Sequence, residues 1–268
     1  MTLPTGTILD KIVTYKRIDL ANQKEQQPLE RVRADAGVAA PAKNFAAALR
    51  APGISLIAEI KRASPSSGEL RGDLQPADLA QTYVDNGAAA CSVLTDTRFF
   101  RGQMADLESV RQAVAAPVLR KDFIIDPYQL YEARAAGADA ILLIVAILDD
   151  DALCGLQALV HDLGMAALVE VHNRHELNRA LTTHPRIIGV NNRNLHTFEV
   201  DLKITESLRP YVPADVILVA ESGICTPDDV ARLRDIGVDA MLVGTALVTA
   251  ADTATAVRQL VQAGMLSL

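Results

Sequence analysis

Tryptophan is absent from this sequence, and the other aromatics amount to five phenylalanines and five tyrosines in 268 residues. Aliphatic side chains must therefore fill the core: half of the residues are hydrophobic, with Ala, Leu, Ile and Val dominating. Such a composition suits helices packed on a buried parallel sheet. Cysteine is scarce as well. Cys91, Cys154 and Cys225 lie far apart, with neither a CxxC pair nor a zinc-ligand spacing, so the expectation is reduced, buried thiols rather than a disulfide framework or a zinc module. No stretch is long and apolar enough to span a bilayer, and Asp10 and Lys11 stand where a signal peptide needs its apolar centre. Positive charge is also short. With 26 Lys and Arg against 33 Asp and Glu, the net charge of −7 argues against a nucleic-acid surface or a polybasic membrane patch. The expectation is a cytoplasmic protein with no membrane and no nucleic-acid partner.

What the sequence does contain is alternation. From residue 54 onward, eight apolar runs of strand length recur, "ISLIAEIKR", "AAACSVLTD", "PVLRKDFII", "ADAILLIVAIL", "MAALVEVH", "RIIGVNNRN", "VILVAESGI" and "DAMLVGTAL". Between them lie helix-patterned segments such as "DPYQLYEARAAG" and "TPDDVARLRDIG", which open on Asp, Thr or Pro and close on Gly, the usual asymmetry of helix starts and stops. Eight strand–helix units in about 200 residues fit a (β/α)8 TIM barrel better than an open doubly wound sheet. No GxGxxG fingerprint follows the first strand, which weighs against dinucleotide binding. Residues 1–50 show no convincing strand. The spacing of Ile8, Leu9, Ile12 and Val13, followed by "PLERVRADA" and "KNFAAALR", predicts two or three helices packed on the barrel. The expected organisation is one barrel domain over 1–268, with 1–50 as a helical N-terminal extension.

Charges and amides gather at the C-terminal ends of these strands. Strand side chains alternate between faces, so Glu59 and Lys61 share a face in "IAEIK", as do Lys121 and Phe123 in "KDF" and Glu170 and His172 in "EVH". The same count groups Asn191 with Arg193, and Glu221 with Gly223. A buried ion pair is a poor way to gain stability. Several polar positions at the end where barrel enzymes build their sites point instead to a site.

Three carboxylates, Glu59, Glu170 and Glu221, facing Lys61 and Lys121 form a general acid/base set. Either lysine could instead attack a carbonyl, but that needs the neutral amine, and neighbouring carboxylates favour the ammonium. An acid is therefore preferred over a Schiff-base nucleophile. Gly223, and Gly244 with Thr245, fall at turns expected to lead into helices, where free N–H groups favour an anion; barrels often bind phosphate after strands seven and eight. A metal site is disfavoured: His172 and His175 share no helical face and no carboxylate cluster of ligand spacing joins them, while His161, His184 and His196 read as surface or loop residues.

In order along the chain, "IAEIKRASPSSG", "SVLTD…FFRG", "VLRKDFIID", "LVEVH", "IGVNNRNL", "VAESGI" and "LVGTAL" resemble the indole-3-glycerol phosphate synthase family, from about residue 45 to 250. The resemblance implies a phosphorylated small-molecule substrate, 1-(2-carboxyphenylamino)-1-deoxyribulose 5-phosphate. The indole ring would close by attack of the aryl carbon on the ketone, followed by loss of carbon dioxide and then of water, with no metal or organic cofactor. It further implies Lys121 as the acid that protonates the ketone oxygen, Glu170 as the base in dehydration, and Lys61 as a second cation near the substrate carboxylate and phosphate. Glu59 would orient the lysines, and Asn191 and Glu221 would hold the hydroxyls. Ser64, Arg193, Ser222, Gly223, Gly244 and Thr245 would form the binding shell, and Phe100, Phe123 and Leu142 the wall for the anthranilate ring. The leader resembles the family's extra N-terminal helices, which partly cover the site. Two departures stand out: Ser67 where the family usually reads SPSKG, and Arg101, Gly102 and Gln103 where it reads FFQGS.

Two other readings remain open. A related phosphate-binding barrel such as phosphoribosylanthranilate isomerase shares the glycine-rich anion site but should not need Glu59, Lys61, Lys121 and Glu170 together. A non-catalytic phosphate-ligand-binding subunit would bind without turnover. The protein is expected to be monomeric or weakly associated with other enzymes of its pathway.

Overall fold

In a computed structural model of the protein, which describes residues 1–265, eight parallel strands close into a barrel. They are β1 (Ser55–Ile60), β2 (Ala90–Leu94), β3 (Val118–Lys121), β4 (Ala140–Ile144), β5 (Ala166–Val171), β6 (Ile187–Asn191), β7 (Ile217–Glu221) and β8 (Ala240–Val243). Each pairs with its neighbours in sequence, and β8 closes the ring against β1. These strands read as continuous apolar runs because the ring of helices covers one face and the barrel core the other.

The helices between the strands start and stop where local chemistry dictates. Pro127–Ala135 and Pro227–Asp235 both carry Pro in the first turn, and the side chains of Asp126 and Thr226 accept from backbone N–H groups there. Behind them the chain turns back to the barrel at Gly137 and Gly237, whose φ of +87° and +77° a side chain would resist.

Ahead of the barrel lie three helices, α1 (Ile8–Gln26), α2 (Leu29–Val38) and α3 (Phe45–Ala48). Leu9, Ile12 and Val13 of α1 join the main core, while Leu20 of α1 and Val32 of α2 form a second apolar cluster with Tyr128. Two local features depart from the sequence reading. The apolar run 138–148 is not one strand: β4 ends at Ile144 and a 3₁₀ turn, Val145–Ile147, continues it, packed against β5, helix Arg174–Leu181 and α1. After β1, Ala63–Ser64 pairs with Gly68–Glu69 as a small antiparallel hairpin that no hydrophobic alternation announces.

The cysteine expectation needs correction. All three are free thiols, but only Cys91 is buried, with burial pushing its pKa up to about 12; Cys154 and Cys225 are exposed. On helix Asp150–Asp162 the buried positions are Leu153, Leu156, Gln157 and Val160, and that spacing turns Cys154 outward. Cys225 lies in the turn before helix Pro227–Asp235.

Candidate active site

The C-terminal ends of the strands surround a cavity of about 400 Å³. Glu59, Leu142, Glu170, Asn191 and Glu221 enter it from five strands, and Lys121 ends a sixth. Lys61 and Ser64 follow from the β1 loop, Phe100 and Phe123 from the loops after β2 and β3, and Arg193 from beyond β6. Ser222, Gly223, Gly244 and Thr245 close the remaining side. Every residue given a catalytic or binding role from the sequence thus lines one cavity.

At its floor, five charges stand close together. Lys61 Nζ, just past the end of β1, lies 2.7 Å from Glu59 Oε1. Lys121 Nζ lies 3.1 Å from Glu221 Oε2 and 3.5 Å from Glu170 Oε2. Burial alone would lower the proton affinity of Lys121, but Glu221, Glu170 and Glu59 outweigh it and hold the ammonium well above the usual lysine range. For Glu59, burial is likewise outweighed by Lys61 and Lys121, and its carboxyl stays ionised. Glu170 is held below the carboxylate range against burial by Lys121, His172 and a hydrogen bond from Asn191. Glu221 goes the other way: burial and the charges of Glu170 and Glu59 raise its proton affinity more than Lys121 lowers it. One cation shared by two carboxylates leaves the second short of compensation. The result is a firmly protonated ammonium beside an ionised base.

Two glycines make room for these groups. A Cβ on Gly189 would stand 2.2 Å from Glu221 Oε1, and one on Gly244 would stand 2.2 Å from Glu59 Oε1 and 3.0 Å from Lys61 Nζ. Because Glu221 is held against Lys121, Gly189→Ala is expected to displace it and lower kcat/KM by about 10²-fold. Steady-state kinetics on a variant with unchanged circular dichroism checks this; activity within threefold of wild type would show that Glu221 needs no such room.

Beyond β8, helix Thr245–Val248 starts directly after Gly244, and its first N–H groups have no intrahelical acceptor. Gly223 lies in the turn that leads to helix Pro227–Asp235, which Thr226 caps. There Ser222 and Gly223 adopt consecutive left-handed conformations, with φ of +67° and +81°. For a serine that is a sparsely populated state, of the kind that accumulates at binding sites.

A family model described as indole-3-glycerol phosphate synthase matches residues 9–260. The chain belongs to the indole-3-glycerol phosphate synthase family. Relatives of that name from Roseiflexus castenholzii and Polaromonas sp. are 54% and 53% identical, covering 95% and 94% of this chain and 98% and 97% of their own. One from Rhodococcus jostii is 50% identical and covers 96% of both. Among solved structures, thiamine phosphate pyrophosphorylase from Pyrococcus furiosus has a TM-score of 0.61 at 17% identity, over 82% of this chain and 97% of its own. The corresponding values for 3-hexulose-6-phosphate synthase from Salmonella typhimurium are 0.62, 15%, 78% and 98%. At such identities the likeness is one of fold.

Ile8, Leu9 and Ile12 of α1, expected from their spacing to pack on the barrel, supply part of the apolar wall of this indole-3-glycerol phosphate synthase cavity. Other groups around the cavity escaped the sequence reading. Beneath it, Lys16 of α1 places its Nζ 2.9 Å from Asp96 and 2.8 Å from Asp122. Asp122 follows Lys121 directly and also accepts from Thr95, Arg120 and the Phe123 N–H. Asp96 accepts the Phe99 N–H at the start of the short helix that carries Phe100. One buried ammonium therefore ties α1 to both the acid strand and the aromatic wall. A signal was available in Arg120, a charge in the middle of an apolar strand, which required buried partners.

Lys16→Met would leave Asp96 and Asp122 buried without their shared cation, and is expected to cost about 3–5 kcal/mol of stability. The Asp122 carboxyl is held below its ordinary value: burial opposes this, but Lys16 and Arg120 prevail. Its contribution is thus complete above the unfolded value of about 3.9 and lost as pH falls toward the folded one. Urea unfolding at pH 7 and at about pH 2 checks both statements. A midpoint unchanged by the substitution would remove the clamp.

The two departures from the family pattern lie on loops that meet over the mouth. Arg101, in the left-handed region at φ +54°, pairs with Glu69 of the hairpin, and Arg62 pairs with Asp106. Ser67 donates its N–H to Ser64 Oγ at 3.2 Å. Among the described residues no cluster of metal-ligating side chains is found, and no helix is long and apolar enough to cross a membrane.

Proposed function

We propose that this protein is a working indole-3-glycerol phosphate synthase, a carboxy-lyase of tryptophan biosynthesis that converts 1-(2-carboxyphenylamino)-1-deoxyribulose 5-phosphate to indole-3-glycerol phosphate. The observation that carries the reading is the Lys121 ammonium standing 3.1 and 3.5 Å from Glu221 and Glu170 inside the cavity of a chain from this family. Lys121 protonates the ketone oxygen as the aryl carbon attacks and carbon dioxide leaves; Glu170 then removes a ring C–H proton while a lysine ammonium protonates the hydroxyl, which departs as water. Lys61 faces the substrate carboxylate and phosphate, with Glu59 holding it in place. Asn191 and Glu221 hold the sugar-chain hydroxyls.

Ser64, Arg193, Ser222, Gly223, Gly244 and Thr245 receive the polar end of the substrate, and Phe100, Phe123 and Leu142 the aromatic ring. Phosphate binding energy positions the reacting carbons from a distance. A lysine nucleophile is disfavoured because the raised proton affinity of Lys121 keeps its electron pair occupied. The chain acts as one barrel domain with 1–50 as its extension, supported by the core that α1 shares with the barrel. It works in the cytoplasm, as a monomer or in weak association with other enzymes of the pathway, without metal or cofactor.

The test is an assay with that substrate, following indole fluorescence in the presence of a chelator. Turnover supports the reading. Tight binding without turnover overturns it in favour of a binding subunit.

A further inference from the structure

His172 follows β5 directly and stands between two carboxylates. Its Nδ1 lies 3.0 Å from Glu176 Oε2 and its Nε2 lies 3.2 Å from Glu170 Oε1. Glu176, in the first turn of helix Arg174–Leu181, is itself fixed: Oε2 accepts the His172 backbone N–H at 2.8 Å, and Oε1 accepts from Asn173 Nδ2 at 2.6 Å. Nδ1 hydrogen-bonds to Glu176, whereas Nε2 meets Glu170 as an ion pair without hydrogen-bond geometry; because an ionised carboxylate only accepts, a ring with a carboxylate beside each nitrogen is best matched when both nitrogens carry protons. A neutral ring would aim a lone pair at one of them. The side chain is one-tenth exposed; burial disfavours the cation, but Glu170 and Glu176 outweigh it and push the ring up to about 10. On its other side Glu170 meets Lys121 from β3 and Asn191 from β6, with Glu221 of β7 and Glu59 of β1 across the cavity.

We infer that His172 is a positioning residue for the reaction, an imidazolium clamped by Glu176 that keeps Glu170 ionised and aimed at the substrate. The inference rests on the reading of Glu170 as the base in dehydration. Its physical point lies in the order of proton transfers. Once Lys121 has given its proton to the ketone oxygen it is neutral, and can no longer hold Glu170 in the basic form. His172 gives up no proton in the sequence, so its charge remains while that of Lys121 comes and goes. A second cation outside the proton inventory keeps the base ready for the second half of the reaction.

The test compares wild type, His172→Asn, His172→Gln and Glu170→Gln. In His172→Asn the short amide keeps a partner for Glu176 but removes both the charge and the contact with Glu170. The acid limb of the kcat profile for indole formation should then move up by about 1–3 pH units, the shift expected when a carboxylate loses an adjacent cation. KM should change by less than about threefold, because the substrate contacts remain. His172→Gln, which returns a neutral donor toward Glu170, should recover only part of the shift. A purely structural role would lower Tm and activity without moving the limb.

Imidazole nitrogen shifts supply a readout that needs no variant of His172: the wild-type ring should carry both protons at pH 8, where a free histidine of pKa about 6.5 is neutral. A neutral wild-type ring at pH 8, or an unmoved acid limb in a folded His172→Asn, would overturn the inference. If Glu170→Gln keeps full indole formation, the base assignment falls and takes this inference with it. If Glu170→Gln is inactive while the limb in His172→Asn stays put, only the role of His172 is lost.

Discussion

Lys121→Met is expected to lower kcat by about 10²–10⁴-fold, the range for loss of a positioned general acid. Methionine keeps much of the volume and none of the charge, so packing on β3 is preserved while the acid is gone. The loss should be larger than for Lys61→Met, because Lys121 is the ammonium placed between Glu170 and Glu221, whereas Lys61 is paired with Glu59 alone. Single-turnover kinetics with the ribulose phosphate substrate reads the chemical step directly. A Lys121→Met variant turning over near the wild-type rate would move the acid to Lys61. Borohydride treatment of wild type with substrate should trap no adduct, since the carboxylates around Lys121 hold its electron pair in an N–H bond.

Glu170→Gln should separate the two halves of the reaction. Ring closure with loss of carbon dioxide needs the acid and the bound geometry, whereas dehydration needs a base. Release of carbon dioxide in a single turnover is therefore expected to outrun indole fluorescence, with the steady-state rate of indole formation down about 10²–10⁴-fold. Glutamine preserves the size of the side chain but removes the charge that faces Lys121 and His172. If carbon dioxide release and indole formation fall together, Glu170 acts in ring closure. If neither falls, another group is the base.

Much of this site was legible because its signals are local. Glu59 and Lys61 are two apart at the end of a strand, and a period of two places them on one face whatever the rest of the chain does. The same holds for polar residues at the ends of β3, β5, β6 and β7, which topology then carries to one rim. The left-handed conformation of Ser222 was not legible, because it depends on the path of the turn before Thr226 and not on the residue type. Cys154 could have been placed outward from the spacing of Leu153, Leu156 and Val160.

What the sequence determined by itself is the alternation of eight apolar strands with capped helices, and the charges at one end of those strands. Both follow from interactions within a few residues: side-chain period, cap hydrogen bonds and the conformational limits of Pro and Gly. The tertiary structure decided which charges meet. Lys121 gains its two carboxylates from β5 and β7, Asp122 gains Lys16 from a helix ahead of the barrel, and Glu221 gains its space from the missing side chain of Gly189. Barrel closure and the docking of α1 set these distances. Electrostatic interaction energy depends on separation in space and on burial, and neither is a property of position along the chain.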